Sequence, residues 1–145
     1  MNTFAFPNSE IAPQQDDIAC QVLIKIDQAI SAQEEAKDAL ANGQIEQRFK
    51  ATQLANSTME EIEDILMSFA TPSLYMAFEN TSLSMAANNI RINVSNCESS
   101  AREALEAIKG LRTTWTAVFP DAEINAFASQ NSVLGSMHIH KNSHM

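Results

Sequence analysis

The chain has 145 residues, 45% of them apolar and 19% charged, with a formal net charge of −9. That length suits one domain with its own core, and three glycines with four prolines are too few turn formers for an all-β fold. The acidic balance, with nine Lys and Arg scattered singly, speaks against a nucleic acid or an anionic membrane surface as partner.

Residues 1–14 combine Pro7 and Pro13 with polar residues around Phe4 and Phe6, the composition of a flexible or loosely docked N-terminal arm. They contain neither a basic n-region nor a long apolar h-region, and no apolar run reaches the length of a membrane span, so a cytoplasmic location is expected. Cys20 and Cys97 are then expected as reduced, buried thiols.

From about Gln15, the residues Ala19, Val22, Leu23, Ile26, Ala29, Ile30, Ala36 and Leu40 recur at spacings of three and four, which predicts a first amphipathic helix over 15–41. Gly43 ends it by supplying a positive φ. In the second helix, Ile45, Phe49, Thr52, Met59, Ile62, Leu66 and Phe69 form the apolar stripe, and Glu46, Gln47, Lys50, Glu60, Glu61 and Glu63 lie largely off it. Thr71 as cap and Pro72 at the first helical position open a third helix to about residue 93. Its stripe of Tyr75, Met76, Phe78, Leu83, Ala87 and Ile90 is the least tidy of the set. Ser95 with Glu98 fits a capping box for a fourth helix, which carries Ala101, Ala104, Leu105, Ile108, Leu111 and Trp115. Gly110 inside it suggests a close helix–helix approach. Residues 120–130 fit a short fifth helix with Ile124 and Phe127 one turn apart, and 131–145 read as a loose tail.

The predicted fold is therefore an all-α, antiparallel up-down four-helix bundle over 15–130, with a short extra C-terminal helix and flexible ends. Its core should include Ile26, Ile30, Phe49, Ile62, Leu66, Leu105, Ile108 and Leu111. Met59, Met67, Met76 and Met85 on the second and third helices serve either as core filler or as an adaptable partner groove.

Catalytic patterns are absent from the sequence. His138, His140 and His144 all lie in the tail, so no helix carries Glu-x-x-His for a di-iron site or a mid-helix His for phosphotransfer. The sequence has no Gly-rich phosphate loop and no nucleophile elbow. The carboxylate pairs sit mostly on solvated faces, and the Asn-x-Ser/Thr matches at Asn56, Asn80 and Asn93 are read as chance. The reading is a non-enzymatic protein with no cofactor and no metal.

The stretch "IDQAISAQEEAKDALANGQIEQRFKATQLA" (26–55) resembles the flagellar export chaperone family, FliS. Asp27, Ala29, Ile30, Ala36, Lys37, Ala39, Leu40, Gly43, Ile45 and Glu46 fall on that family's pattern. "LY" (74–75) and "LRTTW" (111–115) resemble the start of its third helix and its closing motif, so the resemblance spans roughly 18–118. It implies a small cytoplasmic helical bundle that binds the C-terminal segment of flagellin, prevents premature polymerisation and assists export. The alternative is an adaptor or structural bundle that binds an amphipathic helix in another system; a homodimer is a further option. Ile90, Val94, Leu105 and Trp115 are the expected partner-binding residues, on an apolar surface of the third and fourth helices that the arm covers until a client displaces it.

Overall fold

In the computed structural model, the backbone of residues 11–125 and the side chains of residues 17–125 are described. Four long helices follow in order: α1 (Ile11–Ala41), α2 (Ile45–Leu66), α3 (Pro72–Ser95) and α4 (Glu98–Val118). A short helix, α5 (120–125), follows Phe119. Consecutive long helices pack on one another, and α1 closes the ring on α4, so the chain is an antiparallel up-down bundle. No strand occurs among the described residues.

The turns follow from local chemistry. Gly43 has φ +69°, and the amides of Gly43 and Gln44 donate to the carbonyls of Leu40 and Ala39, which satisfies the last carbonyls of α1. Thr71 Oγ1 accepts from the amide of Leu74, with Pro72 at the first helical position, as the sequence indicates. The third turn differs from expectation. Ser95 is the last residue of α3 rather than a cap, Asn96 takes the left-handed conformation (φ 52°), and Cys97 is the residue that precedes α4. Asn tolerates that conformation, so it ends α3 as Gly43 ends α1.

α1 begins at Ile11, so residues 11–14, read from sequence as part of the arm, are helical. Pro13 is accommodated because first-turn amides have no intrahelical acceptor. Residues 1–10, Phe127 and the three tail histidines lie outside the described residues.

The interior is divided along its length. At one end Trp115 is fully buried and meets Phe78 edge-on at 5.4 Å, Phe119 at 4.6 Å and Phe69 at 6.4 Å. Val22, Leu23, Ile26, Met59, Ile62, Leu66, Ile108 and Leu111 continue this apolar half. Towards the other end the core turns small and polar. Ala29, Ala32, Ala36, Ala39, Ala51 and Ala55 are buried on α1 and α2, where small side chains let the two backbones approach. Among them Gln33 and Asn89 exchange side-chain amide bonds at 2.7 and 3.3 Å, and Asn89 also donates to Asn56 at 2.9 Å.

Phe49 corrects the sequence-based core. It is 52% exposed and Ile45 is exposed beside it, while Arg48 is 6% exposed. The reason is the alanine seam: α2 turns Ala51 and Ala55 inward, and that phase carries Arg48 in with them and Phe49 out. Arg48 donates to Asn96 Oδ1 and to the carbonyl of Asn93, at the C-terminal end of α3, where the helix dipole favours a cation. Ile30 is half-buried, and the remaining expected core residues are buried. A Cβ at Gly110 would meet nothing within 4 Å, so no close approach explains that glycine.

Candidate partner-binding face

α3 carries two apolar series, and they face opposite ways. Phe78, Met85 and Ile92 recur every seven residues and are fully buried. Met76, Leu83 and Ile90 recur with the same spacing, two positions earlier, and are each more than half exposed. Two residues are about 200° around a helix, which places the second series on the side away from the core. Four residues after each of these come Asn80, Ala87 and Val94, all exposed. The outward positions 76, 80, 83, 87, 90 and 94 thus alternate steps of four and three, the a/d pattern of a coiled-coil seam. α3 is therefore apolar on two faces, one packed in the core and one exposed.

Of the four residues expected at the partner surface, the structure brings two together. Ile90 is 63% and Val94 78% exposed, one turn apart on this seam. Leu105 is 8% exposed and Trp115 fully buried; both belong to the core. α4 turns its long apolar residues into the bundle, and the indole Nε1–H of Trp115 is taken up by the carbonyl of Ala19 at 2.9 Å. Asn80, Leu83 and Ala87 were missed as surface residues, although the 3.5-residue spacing of the series is visible in the sequence once α3 is read as two stripes. The methionines divide likewise: Met59 and Met85 are core, Met67 and Met76 are exposed.

The charge pattern sets this face apart. α3 contains one acidic residue, Glu79, and one basic residue, Arg91, in 24 residues. By contrast, α1 and α2 are crowded with carboxylates. Arg91 is held by Asn88 at 2.7 Å and Ser100 at 3.1 Å. A shallow apolar hollow of about 330 Å³, lined by Leu66, Met67, Ala70, Pro72 and Tyr75, lies at the α2–α3 turn, next in sequence to Met76. A larger open groove of about 570 Å³ on α1 and α2 is lined by Ile24, Asp27, Ser31, Ala32, Glu35 and Leu54, and its carboxylates make it a poor seat for an apolar helix.

Other titratable groups lie away from this face. Asp27 accepts from Arg112 Nε at 2.7 Å, an ion pair that ties α1 to α4 and holds the guanidinium pKa above its ordinary value. Cys97 is lowered to about 7 by hydrogen bonds from the side chains of Ser100 and Ser99, and the burial of Cys20 raises its thiol. Both cysteines are free and half-buried rather than fully enclosed. No group of three or more His, Cys, Asp or Glu side chains gathers as a metal site, and no helix is long and apolar enough to cross a membrane, among the described residues. Comparison with protein families, with curated proteins and with solved structures finds no match.

Proposed function

We propose that this bundle acts by binding rather than catalysis, and that it receives an amphipathic helix of a partner protein on the outer face of α3. The observation that carries this reading is the exposed seam Met76–Asn80–Leu83–Ala87–Ile90–Val94. A heptad-spaced stripe that is apolar at every position but Asn80 matches the i, i+3, i+4, i+7 anchors of a helical ligand. Met76, with its unbranched thioether, adapts to the anchors of more than one client.

The client of first choice is the C-terminal segment of flagellin, held unpolymerised in the cytoplasm before export. The support is the resemblance of residues 26–55 and 111–115 to the flagellar export chaperones, together with the all-helical bundle. The motif residues serve the fold in ways that suit such a scaffold: Gly43 makes the α1–α2 turn, Arg112 pairs with Asp27, and Trp115 closes one end of the core. The second reading is an adaptor that takes an amphipathic helix of another system on the same seam.

Calorimetric titration with a flagellin C-terminal peptide tests the proposal. The wild-type chain should bind, and Leu83→Glu should lose at least tenfold in affinity while retaining its helical circular dichroism. Equal binding by both proteins would remove the α3 face from the client site. No binding by wild type would remove flagellin as the client.

A further inference from the structure

We propose that the outer face of α3 is covered, when no client helix occupies it, by α3 of a second copy of this chain in parallel register. The inference rests on reading this face as a helix-binding seam, and it makes self-association and client binding mutually exclusive.

Three observations point to a second copy. The first is the period. The outward residues keep steps of four and three from Met76 to Val94, so the stripe stays in line for a supercoiled helical neighbour over about 27 Å. The second is charge. Each chain carries −9, so two copies repel on most approaches. α3 presents only Glu79 and Arg91. In a parallel pair the flanking positions set Glu79 against Ser84 of the other copy and Ala86 against Arg91, so no like charges oppose.

The third observation is Asn80. With Met76, Leu83 and Ile90 at d positions, Asn80, Ala87 and Val94 occupy the a positions, and Asn80 is the one polar residue in the seam. Parallel pairing sets Asn80 against its own counterpart, where two amides can bond to each other. An antiparallel pair centred on the same stripe would set Asn80 against Ile90 and leave its amide unpartnered, at a cost in desolvation. A single asparagine at an a position is also the device that fixes register and favours two strands. The same residue makes a wholly apolar client helix a poorer fit than a second copy.

The seam is short and corner-to-corner between bundles, so the association should be weak and concentration-dependent. Sedimentation equilibrium of the full chain, from micromolar to hundreds of micromolar, reads it directly. The apparent mass should rise from that of one 15.9 kDa chain towards twice that value. Leu83→Glu should hold the mass at one chain throughout, and Ile90→Lys should do the same if Leu83→Glu perturbs the fold. In a Cys20→Ser, Cys97→Ser background, Ala87→Cys treated with a mild copper–phenanthroline oxidant should yield a disulfide-linked dimer, with Thr113→Cys, exposed and off the seam, as control. A wild-type mass of one chain at every concentration overturns the proposal, as does a dimer that survives both seam substitutions. Failure of the client reading looks different: wild type dimerises, the seam variants are monomeric, and all bind the flagellin peptide alike.

Discussion

Trp115 Nε1 donates to the carbonyl of Ala19 at 2.9 Å, linking the last turns of α4 to the first half of α1 across 96 positions of sequence. The ring also meets Phe78, Phe69 and Phe119, so one side chain joins α1, α3, α4 and the α2–α3 turn at this end of the bundle. Trp115→Ala should cost about 3–5 kcal/mol, through a lost aromatic and the cavity left behind. Trp115→Phe retains most of the packing and should cost about 1 kcal/mol for the missing hydrogen bond. Urea denaturation followed by circular dichroism measures both. Because the chain has one tryptophan, its fluorescence in the wild type reports on this end alone.

Phe49→Ala should cost less than about 1 kcal/mol, because the ring is half in solvent in the folded state. Urea denaturation distinguishes this from the loss of about 3–5 kcal/mol that an enclosed phenylalanine would show.

The number and order of helices were legible because their punctuation is strong: Gly43, Thr71 and Pro72 each have one structural use, and the structure puts them to it. The register of α2 was not legible. Apolar weight favoured Ile45 and Phe49, but the packing is decided by Ala51 and Ala55, whose small size matters more than their hydrophobicity. The third turn was misread because Ser95–Glu98 imitates a capping box, while the left-handed Asn96 gives a weaker signal than a glycine would. At the candidate face, Ile90 and Val94 were within reach of the sequence because the apolar pattern of the third helix is the least tidy, which calls for some of its apolar residues to face outward. Trp115 was drawn into the same surface because a tryptophan suits a binding anchor and a core plug equally well; only its contacts decide.

The Gln33–Asn89–Asn56 cluster gives a test of the polar half of the core. Asn89→Leu removes one partner and strands the buried Gln33 amide, and should cost about 2–4 kcal/mol. Gln33→Leu with Asn89→Leu removes both buried amides and should recover part of that loss. The coupling is read from a double-mutant cycle in urea. Strictly additive costs would show that the two amides act independently.

Cys97 and Cys20 should separate by pH in alkylation with iodoacetamide. The thiolate is the reacting form, so Cys97 should reach half its maximal rate near pH 7, while Cys20, raised above 9.0, should lag until more alkaline conditions. The direction can be checked by unfolding. The hydrogen bonds of Ser100 and Ser99 favour the folded thiolate, so urea should slow Cys97 at pH 7 rather than speed it. A depressed folded pKa adds stability that is present above the unfolded thiol range and is lost as pH falls through about 7. Mass spectrometry of the alkylated peptides, at a series of pH values with and without urea, measures the order.

The two faces of α3 supply their own control for the central claim. Methyl NMR spectra, recorded while a flagellin C-terminal peptide is added, should show shifts for Met76, Leu83, Ile90 and Val94, with Met85 and Ile92 nearly unmoved. Shifts centred instead on the α1–α2 groove around Ile24 and Leu54, or none on the outer series of α3, would contradict the assignment of this face to the client helix.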